Sequence, residues 1–178
     1  MSYDLINHEL SVSFPDDFHV MDEEELRDAY TDDYPSRWAI RSGDGSIMIA
    51  VFWHQSNVML TALADSRYMI SGIEARIKKT LKNHGYKRDG FYAREICGHK
   101  ARGFRYEYTP DEDVWNGEAV MFKHESRIYT IYFYAKRFEE GWLVEGKKGA
   151  EVAAEDRPSA RQILEQFLKS MDFVEEED

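Results

Sequence analysis

The run Ile128-Tyr-Thr-Ile-Tyr-Phe-Tyr-Ala135 constrains the fold more than any other segment of this 178-residue chain. At period two, Ile128, Thr130, Tyr132 and Tyr134 fall on one side, and Tyr129, Ile131, Phe133 and Ala135 on the other. Both sides are apolar or aromatic, so a strand here has no face to give to water and must be central and covered twice. The rest of the chain has to supply strands at its two edges and amphipathic elements above and below it.

Those elements are legible on both sides of the run. Leu10-Ser-Val-Ser-Phe14 alternates strictly and ends at Pro15-Asp-Asp, which predicts a half-buried strand followed by a turn. Asp22 to Tyr30 suits a short acidic helix, and Thr31 to Ser36 is rich in turn formers. Trp38 to Arg41 and Ile47 to Trp53 flank Ser42-Gly-Asp-Gly45, a hairpin signature. From Ser66 to His84 the apolar residues Met69, Ile70, Ile73, Ile77 and Leu81 recur every three or four positions, which predicts the best helix of the chain. Asp65 or Ser66 caps its start and Gly85 stands where a left-handed cap is wanted. Four strands then follow, Tyr86 to Ile96, Lys100 to Tyr108, Glu118 to Glu125 and Ile128 to Ala135, with turns at Gly98-His99, Asn116-Gly117 and Ser126-Arg127. Such short connections predict an antiparallel meander. Lys136 to Glu155 has no period and reads as a long loop. A final helix starts near Pro158, with Ser159 and Gln162 spaced as a capping box, and Met171 to Val174 suits one more short strand.

Forty-three per cent apolar and 14% aromatic residues supply enough material for one packed domain, expected over residues 1–174, with an acidic tail at 175–178. The net charge of −11 sets the field of the whole molecule against phosphate backbones and anionic lipid, so neither nucleic acid nor membrane is an expected partner. The first ten residues lack the basic and apolar regions of an export signal, and no 18-residue apolar run occurs, so the expected location is the cytoplasm. A single cysteine, Cys97, allows neither an internal disulfide nor a cysteine-based zinc site.

With Phe14-Pro-Asp-Asp-Phe18 after a first strand, the hairpin through Ile47 to Trp53, the mid-chain helix, the meander, and Ile163-Leu-Glu-Gln-Phe-Leu-Lys-Ser-Met-Asp-Phe173 at the end, the chain resembles the PsbP-like superfamily. That group includes photosystem-associated proteins, a Ran-GTPase-binding protein and many small bacterial proteins. Phe18 stands where the family's opening motif has tryptophan. The resemblance implies an α+β fold, a largely antiparallel sheet flanked by helices in an α/β/α sandwich. It also implies a non-enzymatic binding or scaffold role.

The chain carries no phosphate-binding loop, HExxH or GxSxG elbow, and Gly43-Asp-Gly45 opens no helix. Asp111-Glu-Asp113 fails as a calcium loop, because Asn116 and Phe122 occupy the positions of the required glycine and glutamate. The six histidines lie apart in sequence, so no metal or cofactor is expected. Cys97 and His99 could share a strand face and activate the thiol, against a bland reading as a small buried residue. Between Arg76 and Arg105 ten basic residues face two acidic ones, a net +8 that leaves −19 for the rest. Arg76, Lys79, Lys82, Arg102 and Arg105 could form a basic face for an acidic partner, or could pair with the acidic stretch Asp16 to Asp33. Phe138, Trp142 and Leu143 of the long loop, and Trp115 beside a turn, are candidate partner anchors, or a lid on the core. The leading expectation is a non-catalytic domain that binds a protein or peptide. A small-ligand pocket or hydrolase using Glu107 or Glu118 beside the aromatic strand is the alternative, and a structural subunit of a larger assembly the third.

Overall fold

The computed structural model describes residues 1–30, 36–137 and 158–174. Along the chain run β1 (Ser2–Ile6), β2 (Leu10–Phe14), β3 (Phe18–Val20), α1 (Glu23–Ala29), β4 (Arg37–Ser42), β5 (Ile47–Gln55), α2 (Val58–Leu63), α3 (Ser66–Thr80), β6 (Lys87–Ile96), β7 (His99–Tyr108), β8 (Trp115–His124), β9 (Arg127–Lys136), α4 (Ala160–Ser170) and β10 (Asp172–Phe173). A seven-stranded sheet has the order β3-β4-β5-β9-β8-β7-β6, and β1-β2-β10 form a second, three-stranded one. Every pairing is antiparallel.

The aromatic run lies in β9, fourth of the seven strands, and both of its faces are covered as expected. Tyr129, Ile131, Phe133 and Ala135 are buried in the core beneath β2 and α4. On the other face Tyr132 and Tyr134 pack among the residues that α3 covers, Phe104, Tyr106, Ala119 and Met121 against Ile70 and Ile73. Helix α4 buries Ala160, Ile163, Leu164, Phe167 and Leu168, and Phe167 stacks on Trp38 at 6.1 Å between ring centres. Each of the larger side chains, Ile163, Leu164, Phe167 and Leu168, contributes about 1.5–3 kcal/mol on full burial.

Local chemistry sets the element boundaries. Asp22 accepts from the amides of Glu24 and Glu25 while Glu25 reaches back to the Asp22 amide, and Ser159 and Gln162 do the same for α4. Asp65 caps α3 through the Arg67 amide at 2.8 Å. That helix ends at Thr80, four residues earlier than its apolar spacing suggests. Gly85, at φ +65°, closes the turn after it rather than the helix itself.

Three differences from the sequence reading have clear physical reasons. Asn116-Gly117 is no turn: both residues lie inside β8, and the connection falls at residues 109–114 around Pro110. Residues 2–6 form a strand, joined to β2 by the three-residue turn Asn7–Glu9, in which Asn7 and His8 stand at φ +52° and +60° without the usual glycine. Helix α2 fills a segment that had no assignment. The long loop after Lys136 falls almost wholly outside the described residues, as does the acidic tail.

Candidate functional site

Helix α2 is inverted. Its sequence, Val-Met-Leu-Thr-Ala-Leu, is the most apolar of any helix here, yet Val58, Met59 and Leu63 are 61%, 69% and 76% exposed while Thr61 is 2% exposed. The Thr61 hydroxyl has no hydrogen-bond partner among the described residues. Polar bonds hold the helix in this orientation. The Ser56 amide donates to the Ser126 carbonyl at 2.7 Å, the Met59 amide to the Asn57 side chain at 2.9 Å, and Lys123 Nζ to the Ala64 carbonyl. Two residues on, α3 begins with Tyr68 83% exposed. Three large apolar side chains and a tyrosine therefore face solvent within eleven residues, an arrangement that marks interaction surfaces.

A cleft of about 350 Å³ opens beside this helix, between the first turn of α3 and the β6–β7 hairpin. Arg67, Arg94, Lys100 and Arg102 line it with Ala64, Asp65 and Ser66. Asp65 is occupied by capping α3, and Arg94 by a two-pronged bond to Glu165 of α4 at 2.9 and 2.8 Å. Arg67, Lys100 and Arg102 make no ion pair among the described residues, and neither do Arg76, Lys79 and Lys82 on α3 and just past its end.

The expected basic face is thereby divided. Arg76 and Lys79 are exposed along α3 and Lys82 just past its end, and Arg102 shares the α3 face of β7, opposite Met121. Arg105 belongs to the other face, where its Nε bonds Glu118 at 3.0 Å and its guanidinium lies 5.0 Å from the centre of the Tyr92 ring. None of these five residues pairs with the acidic stretch at Asp16 to Asp33 among the described residues, where Asp16 holds the N-terminal ammonium and Glu25 bonds His19. Trp115 opens β8, half-buried and opposite Tyr108 and Lys136. It is about 26 Å along the strand from Lys123, at the end of the sheet away from α2. Phe138, Trp142 and Leu143 lie outside the described residues.

The carboxylates proposed for a pocket are both engaged. Glu118, 6% exposed, accepts from Tyr92 and Arg105, and Glu107 sits 3.6 Å from Lys87 and 3.3 Å from Arg137. They face away from Tyr132 and Tyr134, and neither lines the basic cleft or the second one. That second cleft, about 410 Å³, lies among Pro15, Phe18, Ile47, Pro158 and Ile163.

Cys97 sits at the β6–β7 turn at φ +40°, and burial pushes its thiol up to about 11, the opposite of an activated nucleophile. His99 instead meets His124, with Nδ1 of His124 3.1 Å from Nε2 of His99, and Phe173 of β10 stacks on His124 at 3.5 Å between ring centres. No group of three or more histidine, cysteine or acidic side chains could hold a metal among the described residues.

The bond between the two rings needs one nitrogen without a proton. Burial, then the neighbouring His124, depresses the His99 pKa below 6.5. The native state thus prefers neutral His99, so its contribution to stability is complete above pH 6.5 and is lost as pH falls through the native value. Thermal melts are expected to decline on acidification below pH 6.5, by at most about 1.4 kcal/mol per pH unit for this proton, and less steeply in His99→Gln. Equal slopes in the two proteins would show that His99 carries none of the effect.

No family model matches the chain, and no curated protein matches it in sequence. Solved structures do. The Ran-binding protein Mog1p of Saccharomyces cerevisiae is 10% identical, with a TM-score of 0.56 over 98% of this chain and 97% of Mog1p. Cyanobacterial PsbP (CyanoP) of Synechocystis sp. PCC 6803 is 13% identical, with a TM-score of 0.53 over 75% of this chain and 76% of CyanoP. A protein of Bacteroides thetaiotaomicron VPI-5482 is 10% identical, with a TM-score of 0.54 over 94% of this chain, which spans 46% of that protein's length. At such identities the likeness is one of fold: the chain has the α+β fold seen in PsbP and Mog1p.

Proposed function

We propose that this chain is a non-catalytic protein-binding module that docks its partner on the surface formed by α2 and the start of α3. The inversion of α2 carries the reading. A six-residue helix that turns Val58, Met59 and Leu63 outward and Thr61 inward forgoes burial it could have had, and a bound partner would restore it. The similarity in fold to Mog1p, a Ran-binding protein, supports a protein partner, and the partner itself has to be selected by the surface rather than by the fold.

The test is capture and identification of a partner by the wild-type chain, repeated with Met59→Ser combined with Leu63→Ser. Both side chains are exposed, so the double variant is expected to keep its melting temperature, with stability changed by no more than about 0.5 kcal/mol per site, while losing the partner. A partner retained at wild-type yield by this variant, but lost on Phe138→Ala with Trp142→Ala, would move the docking surface to the loop aromatics.

A further inference from the structure

We infer that the segment seated on the α2–α3 surface is acidic as well as apolar: a stretch of another protein that lays large apolar side chains on Met59 and Leu63 and directs carboxylates into the adjoining cleft. The inference rests on the docking surface proposed above and adds the chemistry of its occupant. Arg67, Lys100 and Arg102 converge on one cleft of about 350 Å³ with no ion-pair partner among the described residues. The lone carboxylate lining that cleft, Asp65, is held by the Arg67 amide. Cations gathered this way repel one another, and an incoming carboxylate relieves that repulsion while gaining charge-assisted hydrogen bonds. The apolar and cationic parts are continuous, because Ala64 to Arg67 line the cleft while Leu63 and Tyr68 flank it in sequence.

An anionic membrane offers the same two chemistries. It is disfavoured by the net charge of −11, which sets the long-range field of the molecule against any extended anionic surface. A short acidic segment feels mainly the local positive patch, within about 8–10 Å at ordinary ionic strength.

The experiment selects binders to the immobilised full chain from a library of short random peptides. Selected peptides are expected to combine Asp or Glu with Leu, Ile, Phe or Met, and to lose about tenfold or more in affinity from low to high salt. Selection on Arg67→Glu, Lys100→Glu, Arg102→Glu is expected to replace the acidic residues by Lys or Arg while keeping the apolar ones. Neutral or basic peptides from the wild type, or an unchanged acidic preference in the charge-reversed chain, would overturn the inference. Binding to phosphatidylserine vesicles with no peptide selected would overturn it in favour of a membrane, and salt-sensitive self-association in sedimentation, abolished by the same reversals, in favour of a second copy. Peptides whose binding depends on Met59 and Leu63 but not on the three cations leave the docking surface standing and remove its acidic occupant. Dependence on neither removes both.

Discussion

Gly117→Ala is expected to destabilise the fold by about 2–3 kcal/mol, near the top of the range for overpacking a close-packed interior. Gly117 lies in β8 directly opposite Tyr106, and the Tyr106 ring rests on its Cα. A Cβ built there would stand 2.2 Å from Cζ of that ring, far inside van der Waals contact. The ring has nowhere to go. Tyr106 is 3% exposed and is held by Tyr86, Phe104 and Tyr108, with centroid distances of 5.5, 5.7 and 5.9 Å. Urea unfolding measures the loss, and two controls sharpen it. Gly72→Ala, with nothing within 4 Å of the added methyl on an exposed helical turn, should stabilise by up to about 1 kcal/mol. In a Tyr106→Ala background, itself costly, the Gly117→Ala penalty should largely vanish, because the two residues share one space. A Gly117→Ala protein as stable as wild type would mean that the ring does not cover this backbone.

That glycine also shows where sequence reading reaches its limit. Asn-Gly is the strongest short hairpin signal, and Asn116-Gly117 invites that assignment. The actual turn is supplied upstream around Pro110, and the glycine is there for the ring opposite, a requirement no local pattern states. The same device occurs on the other face, where Tyr92 lies directly across from Gly103 and covers it. By contrast β9, α3 and α4 were legible, because period, apolar spacing and cap residues all agreed there. Strand β1 was missed because its alternation runs in the wrong phase. Tyr3 and Leu5 point outward, 76% and 45% exposed, and little but Ile6 is buried.

The candidate site was half legible. Summing charge over Arg76 to Arg105 finds the basic excess but not how the sheet divides it. Arg102 and Arg105 are three apart on one strand and so must point to opposite faces, a parity that was available before any coordinates. Glu118 and the hydroxyl-bearing residues Tyr132 and Tyr134 are separated the same way, since Glu118 pairs with Phe133 in register. The outward turn of α2 was not available. A six-residue segment with five apolar residues reads as core, and the tertiary bonds at Ser56, Asn57 and Ala64 turn it over.

The largest polar effect is expected at Glu118. Its carboxylate lies on the inner face beside Phe133, takes a hydrogen bond from Arg105 Nε at 3.0 Å and another from the Tyr92 hydroxyl. Tyr92 is fixed by its seat on Gly103, so its hydroxyl cannot follow another acceptor without giving up that contact. Glu118→Ala leaves this half-buried donor without its acceptor and removes the partner of Arg105. A fully buried pair broken from one side costs about 3–5 kcal/mol, but the Arg105 side chain is 32% exposed and can turn to water, so about 2–3 kcal/mol is expected. Glu118→Gln keeps the shape and one acceptor and should lose less, since a hydrogen bond to a charged group contributes about 1.5–3 kcal/mol and a neutral one about 1 kcal/mol. Replacing the group as a unit, with Glu118→Leu, Arg105→Leu and Tyr92→Phe together, should recover much of the loss, because no polar atom is then left without a partner. Urea titrations of the three proteins fix the order: the alanine variant least stable, the glutamine variant between it and wild type, and the apolar triple above the alanine variant. An alanine variant matching wild type would show that this carboxylate is solvated in solution rather than clasped by Tyr92 and Arg105.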